Sequence, residues 1–453
     1  MLKSLRITGD DMTSFFHAYD LRGTYPDEIG LEEAEKVGKA YGTFIDADKV
    51  LVGRDGRRHG EDITEAFIEG VKSTGTGVVF AGVVPSPVVY FGQVDNGFES
   101  AAVVTASHNP SEYTGFKFNL EGALAMSREG GMKDIEEIYE SEEFDTGSGS
   151  EEKIDLIEDY IEVVKDEVGL VDLDVVINCG NGVTGVLARE LFEELGCSVN
   201  VINEEVDGDF PSHLPAPGNE EAQNQLKEAM SGEDIGIIFD GDGDRAGFVL
   251  SDSGYISEDE VIALFAEESL ECEVGTVVYD LRASKLVPEK ISEHGGNPEE
   301  SRVGHTFISE RIHDGGVSFA GELSGHFYFP AFGFPWDDGL FAGALMCRMA
   351  SRDDLEEKLS FFPDYPVSPE VNLDCPNELK EVVMDAVAEE YSDFEISTMD
   401  GVKIQFDSGW VLARPSSTEP KVRLRCEADT EEDLEEILSD VEGKVRALIN
   451  EFS

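Results

Sequence analysis

The sequence predicts an α/β protein: three related α/β domains with mixed sheets around a central cleft, followed by a smaller C-terminal α+β domain. Three observations carry this. At 453 residues the chain is too long for one hydrophobic core and fits three or four domains. Three successive stretches repeat one plan, in which an early apolar strand ends in a polar turn and a later one ends in a loop rich in reactive side chains. Beyond Phe361-Phe362-Pro363-Asp364-Tyr365-Pro366 the plan is abandoned for paired strands and a long amphipathic helix. The expected domains are residues 1–146, 147–252, 253–363 and 364–453.

In the first domain, a helical pattern runs from Leu31 to Phe44, and the strand Lys49-Val50-Leu51-Val52 ends in Gly53-Arg54-Asp55. After a further helix and the strand Val78-Val79-Phe80, the apolar run Ala101-Ala102-Val103-Val104 is too short for a helix and reads as a buried strand. It leads into Thr105-Ala106-Ser107-His108-Asn109-Pro110, which places a hydroxyl at a strand end, where ligands gather in open α/β sheets. Lys117 follows in Gly115-Phe116-Lys117-Phe118. From Ser141 to Glu152 the composition turns to Ser, Gly, Asp and Glu, a solvated connector.

The second domain opens with the strand Val175-Val176-Ile177, ending in Asn178-Cys179-Gly180-Asn181-Gly182. Its later strand Ile235-Gly236-Ile237-Ile238-Phe239 ends in Asp240-Gly241-Asp242-Gly243-Asp244-Arg245. The third repeats this with Thr276-Val277-Val278-Tyr279 ending in Asp280, and Val317-Ser318-Phe319-Ala320 ending in Gly321-Glu322-Leu323-Ser324-Gly325-His326. In the last domain, Lys403 to Phe406 and Gly409 to Leu412 pair around Asp407-Ser408, and Glu431 to Ile449 forms an amphipathic helix.

Charge narrows the function. With 97 Asp plus Glu against 34 Lys plus Arg, the formal net charge is -63, a surface that repels nucleic acid and anionic membranes. The carboxylates are spread between ordinary apolar segments rather than gathered in a tail, which points to a salt-adapted globular protein. Six scattered cysteines without a Cys-x-x-Cys read as reduced core residues of a cytoplasmic protein. No signal peptide or membrane-spanning run is expected.

Asp240, Asp242 and Asp244 alternate with glycines, so three carboxylates can converge on one cation; hard oxygen ligands in that number suit one Mg²⁺. An EF-hand loop is excluded, since its sixth position would be Arg245 and its twelfth Ser251. Glu322 and Ser324 offer a carboxylate and a hydroxyl suited to adjacent sugar hydroxyls. Arg414 and Arg423 bracket Ser416, Ser417 and Thr418, an assortment that holds phosphate through bidentate forks and neutral donors.

Together these four loops resemble those of the α-D-phosphohexomutases, the superfamily of phosphomannomutase and phosphoglucomutase, in order and over essentially the whole chain. Thr105 to Pro110 resembles the phosphoserine loop, Asp240 to Arg245 the Mg²⁺ loop, Gly321 to His326 the sugar loop and Arg414 to Arg423 the phosphate loop. The resemblance implies active-site roles for Arg22, Lys117, Arg245 and His305, with Ser107 both phosphoryl carrier and metal ligand. Ser417 departs from the Gly or Asn usual at its position, trading backbone freedom for a donor.

The implied reaction interconverts hexose 1-phosphate and hexose 6-phosphate, of mannose or glucose, through a phosphoserine enzyme primed by hexose 1,6-bisphosphate. Proton transfer falls to the set Lys117, Arg22, His108 and His305. Phosphoglucosamine mutase is the nearest alternative; a non-catalytic sugar-phosphate sensor and a Mg²⁺-dependent sugar phosphatase are more distant ones. The expected partners are small hexose phosphates, with no nucleic acid or membrane, in a monomer or homodimer from a halophilic archaeon.

Overall fold

A computed structural model describes residues 15–17, 20–251, 253–416 and 419–453. The first sheet runs in the order Leu21–Thr24, Tyr113–Leu120, Ala101–Val104, Lys49–Arg54, Gly77–Val83, Glu151–Lys153. Lys49–Arg54 is parallel to both of its neighbours, whereas Tyr113–Leu120 is antiparallel to Ala101–Val104, so the sheet is mixed. Glu151–Lys153, past the boundary expected at 146, pairs parallel with Gly77–Val83 as an exposed edge strand. The second sheet is ordered Gly254–Tyr255, Ala246–Leu250, Ile235–Phe239, Asp174–Asn178, Ser198–Ile202, and the third Asn297–Ser301, Thr276–Asp280, Val317–Gly321, Phe327–Phe329, Phe334–Asp337.

In each of these sheets an early strand lies between two parallel partners, and the chain reverses its direction of growth across it. That reversal opens a crevice at the carboxyl ends of the two strands, the usual seat of ligands in open α/β sheets. The crevice lies between Arg54 and Val104 in domain 1, between Asn178 and Phe239 in domain 2, and between Asp280 and Gly321 in domain 3. The reactive loops emerge at these three points, which is the physical content of the repeat seen in the sequence.

Burial explains the strand patterns. Along Lys49–Arg54, Val50 and Val52 face one apolar cluster and Leu51 faces another, as expected for a strand covered on both sides. The cluster beneath Leu51 continues without a break through Phe91, Ile177, Phe239, Phe265 and Phe319, so domains 1, 2 and 3 share a core.

The last domain has its own core, between an antiparallel five-stranded sheet and the helices Lys380–Glu390 and Glu431–Phe452. Glu431–Phe452 buries Leu434, Ile437, Val441, Val445 and Ile449, one stripe at helical spacing, and Thr430 caps it by accepting from the Asp433 N–H. Five cysteines are buried, but Cys272 is exposed, contrary to expectation, because it ends the helix Glu258–Cys272 beyond that helix's core-facing residues. Among the described residues no helix is long and apolar enough to cross a membrane.

Candidate active site

The first three loops meet at one buried point. Ser107, at the carboxyl end of Ala101–Val104, is fully buried, and its Oγ donates to Asp240 Oδ2 at 2.8 Å. His108 Nδ1 lies 3.2 Å from the same oxygen. The Ser107 backbone is left-handed (φ 48°), a conformation that costs a non-glycine residue of the order of 1 kcal/mol and recurs at functional sites. Lys117, on Tyr113–Leu120, donates to Asp242 Oδ2 at 2.7 Å and to Asp244 Oδ2. Ser86, after Gly77–Val83, donates to Asp242 Oδ2 at 2.8 Å.

Glycine is required twice in the metal-type loop. Gly243 has φ 81°, and a Cβ on it would meet Thr184 and Pro85; a Cβ on Gly241 would sit 2.4 Å from the Ser107 carbonyl oxygen. The loop and the strand after it are also bonded to domains 1 and 3: Ser86 N to Asp242 O, Gly339 N to Gly243 O and Ala246 N to Gly325 O.

The three aspartates fit a cation. One carboxylate oxygen from each lies within 4.8 Å of the others, and Asp242 Oδ1 and Asp244 Oδ1 are buried with no hydrogen-bond partner. Burial and the two neighbouring carboxylates push Asp240 well above the carboxylate range, while Lys117 holds Asp242 and Asp244 below it. Such crowding of acceptors is what a small dication relieves.

Arg245 Nε lies 2.8 Å from His326 Nε2, and His326 Nδ1 lies 2.9 Å from Glu322 Oε2. Glu322 Oε1 also accepts from Gly304 N, next to His305, whose ring meets that of His326 edge-on at 5.9 Å. Burial, with cationic neighbours, lowers His108 to about 2 and His305 to about 4, so both imidazoles are neutral at pH 7. Arg22 bonds Asp20 at 2.6 Å and donates to Asn109 Oδ1 at 2.9 Å, which sets its charge beside the serine loop. Ser324 is half-buried on the turn between Glu322 and His326.

The fourth loop stands apart from this cluster. Arg414 donates to Asp400, and Arg423 pairs with Glu419 and, at 3.6 Å, with Glu370, all within the last domain. Arg414 and Arg423 are directly opposite on adjacent strands, each already paired with a carboxylate of its own domain. Ser416 is buried and accepts from Glu419 N, and Lys380 braces the turn by donating to the carbonyls of Ser416 and Glu419. Ser417 and Thr418 lie outside the described residues.

Some contributors escaped the sequence reading. Asp55 and Arg57 sit behind Ser107, and Asp280 and Arg282 behind the Glu322 turn, where Asp280 accepts from Leu323 N. The signal was present: Asp20-x-Arg22, Asp55-x-Arg57 and Asp280-x-Arg282 each form an ion pair between positions two apart, the last two at the ends of equivalent strands. Ser86 had no signal beyond an ordinary Pro-Ser-Pro turn.

Four family models match the chain in succession. They are described as Phosphoglucomutase/phosphomannomutase alpha/beta/alpha domain I over residues 13–146, domain II over 154–254 and domain III over 257–365, and the C-terminal domain over 370–444. The phosphomannomutase/phosphoglucomutase of Pseudomonas aeruginosa is 35% identical over 446 residues, covering 96% of each chain. The phosphomannomutase of Methanocaldococcus jannaschii is 34% identical, over 96% of this chain and 98% of that protein. The crystal structure of a phosphoglucomutase/phosphomannomutase family protein from Burkholderia thailandensis superposes with a TM-score of 0.88 at 33% identity, over 96% of this chain and 98% of that one.

Proposed function

The chain belongs to the phosphoglucomutase/phosphomannomutase family and is a phosphohexomutase, and we propose that Ser107 is its phosphoryl carrier for the 1- and 6-phosphates of glucose and mannose. The observation that carries this assignment is the Ser107 hydroxyl bonded to Asp240 within a triad of carboxylates suited to a cation. In the resting enzyme Ser107 bears a phosphoryl group. As the P–Oγ bond breaks, a new P–O bond forms to the free hydroxyl of the bound hexose phosphate, which loses its proton. The resulting hexose 1,6-bisphosphate turns in the cleft and returns its other phosphoryl group to Ser107. Free bisphosphate primes enzyme that has lost its phosphate.

Asp240, Asp242, Asp244 and the Ser107 oxygen would hold Mg²⁺, which supplies electrostatic stabilisation to the charge spread over the phosphoryl oxygens. Lys117, Arg22 and Arg245 bring three cations to the same place. His108 and His305, kept neutral by burial, are the members of the proton-transfer set able to accept a proton. Glu322, oriented by His326 and Gly304 N, and Ser324 take the sugar hydroxyls. Arg414, Ser416, Arg423 and the Ser417-Thr418 pair take the phosphate that is not reacting.

Coupled assays with mannose 1-phosphate, glucose 1-phosphate and glucosamine 1-phosphate, each primed with its bisphosphate, test the substrate assignment. Turnover of the first two above the third is expected; the reverse order would move the protein to the glucosamine branch. Release of inorganic phosphate at the rate of substrate loss would instead mark a phosphatase. Ser107→Ala is expected to keep the fold and to lose nearly all turnover.

A further inference from the structure

The guanidinium of Arg57 is buried, and each of its five N–H groups is used. Nε donates to Asp55 Oδ2 at 3.1 Å. Nη1 donates to the carbonyls of Pro110 at 2.7 Å and Tyr113 at 3.0 Å, and Nη2 to those of Ser107 at 2.7 Å and Asn109 at 2.6 Å. Four carbonyls of the serine loop therefore converge on one side chain. Asp55 closes the ring from the other side: it accepts from Thr105 Oγ1 at 2.7 Å, and Thr105 Oγ1 accepts from Ser107 N at 2.8 Å. Both backbone polar groups of Ser107 are thus fixed through Asp55 and Arg57.

The need for such fixing follows from the backbone of Ser107. Its left-handed φ is not what a serine adopts unaided, so without ties the loop relaxes and Oγ turns away from Asp240. Phosphorylation also changes the charge on that side chain by roughly -1.5 to -2 in every cycle, while its backbone has to stay in place. Phe210 lays its ring 5.0 Å from the Arg57 guanidinium, and a Cβ on Gly208 would strike the Arg57-Arg58 backbone at 2.2 Å. The same arginine thus locks the serine loop of domain 1 against domain 2, which carries the three aspartates.

We propose that Arg57 is the positioning residue of the nucleophile: its fully used fork, anchored on Asp55 and covered by Phe210, holds Ser107 in its left-handed conformation and aims Oγ at the metal triad. This rests on the reading of Ser107 as phosphoryl carrier. Lysine cannot replace Arg57, since an ammonium donates three bonds from a single point and cannot span four carbonyls and a carboxylate.

The test compares the full-length wild type with Arg57→Lys, Arg57→Ala, Thr105→Val and Ser107→Ala. Arg58→Ala, which removes only the exposed partner of Asp209, serves as the neighbouring control. Steady-state kinetics with glucose 1-phosphate and its bisphosphate are read beside the rate of Ser107 phosphorylation by intact-mass spectrometry. Arg57→Lys is expected to lower kcat and the phosphorylation rate about 100-fold, the cost of misplacing a reacting group by about an ångström, with KM unchanged within about threefold. Thr105→Val should lower kcat in the same way, and Arg58→Ala should turn over as wild type.

In Arg57→Ala, millimolar guanidinium should restore part of kcat while ammonium does not. Arg57→Lys and Thr105→Val answer the question if Arg57→Ala fails to fold. Wild-type kcat in Arg57→Lys, or a loss confined to KM, overturns the inference while leaving the phosphoserine reading intact. Wild-type turnover in Ser107→Ala overturns the phosphoserine reading itself.

Discussion

Replacing Gly241 with alanine tests whether the metal-type loop and the serine loop form one reactive unit. A Cβ at position 241 would lie 2.4 Å from the Ser107 carbonyl oxygen and 3.2 Å from Pro215 Cγ, whereas ordinary contact begins near 3.4 Å. The two loops must therefore part by about 1 Å. Ser107 O cannot yield alone, because Arg57 Nη2 holds it at 2.7 Å. Gly241 is not among the left-handed glycines, so its backbone admits alanine and the substitution tests close approach alone.

Overpacking of this kind costs about 1–3 kcal/mol of stability. A separation of 1 Å also carries the 2.8 Å bond from Ser107 Oγ to Asp240 beyond hydrogen-bond length. Gly241→Ala is expected to lose about 100-fold in kcat with a modest fall in melting temperature, and to need more Mg²⁺ for half-maximal activity. The assay is kcat at saturating Mg²⁺ beside the Mg²⁺ titration and the melting curve. Wild-type kcat, or a defect that vanishes once salt restores the melting temperature, would refute the reasoning.

Chelation should abolish turnover and Mg²⁺ should restore it, with Asp242→Asn requiring more Mg²⁺ for half-maximal rate; full activity in chelator would remove the metal from the mechanism. Stability should rise between about 0.1 M and 1 M KCl, as the Debye length falls from about 10 Å to about 3 Å over a protein of net charge -63; a melting temperature indifferent to salt would count against salt adaptation. Arg423→Ala should raise KM at least about tenfold and leave melting nearly unchanged, since a half-exposed pair to Glu419 contributes at most about 1 kcal/mol. Burial raises Asp259 to about 6, so the stability from its protonation is complete below its ordinary value of 3.8 and lost as pH rises through about 6. Asp259→Asn should therefore add of the order of 1–3 kcal/mol at pH 7–8 and flatten the stability profile between pH 4 and 6; an unchanged profile would exclude this.

The parts of the site legible in the sequence are those written locally. Three aspartates spaced by glycines, a serine after a short apolar strand and two arginines around hydroxyls each announce chemistry within one loop. What was not legible joins loops far apart in the chain. Lys117 was recognised, but its pairing with Asp242 and Asp244 depends on how two domains dock. Arg57 lies in the run Arg54-Asp55-Gly56-Arg57-Arg58 and looks like surface charge, although it is buried and Arg58 is exposed. The apolar run Val50-Leu51-Val52 announced a buried strand, but not that its Leu51 face joins a core shared by three domains. Cys272 shows the converse, a residue type usually buried that its helix end leaves exposed.

The protein's two kinds of interface match the two demands of the proposed mechanism. The junction of domains 1, 2 and 3 is closed by a continuous apolar core and by buried backbone bonds into the metal-type loop, so the groups around the transferring phosphoryl have little freedom to separate. The last domain meets domain 3 differently. Its contact is a small apolar patch of Leu281, Trp410 and Leu412, ringed by Lys403 to Glu300, Lys285 to Glu427 and Asp429, and Arg425 near Asp259. Lys403 and Glu427 are buried in that ring, whereas the Lys285–Asp429 pair is partly exposed and exchanges with water at little net cost. Under the proposed mechanism, a bisphosphate that turns between half-reactions needs its distant phosphate released and recaptured while the reacting end stays aligned. Arg414 and Arg423 lie on a domain with its own core and Ser107 with its aspartates in the shared junction, so a movement of the last domain would leave the Ser107–Asp240 contact in place.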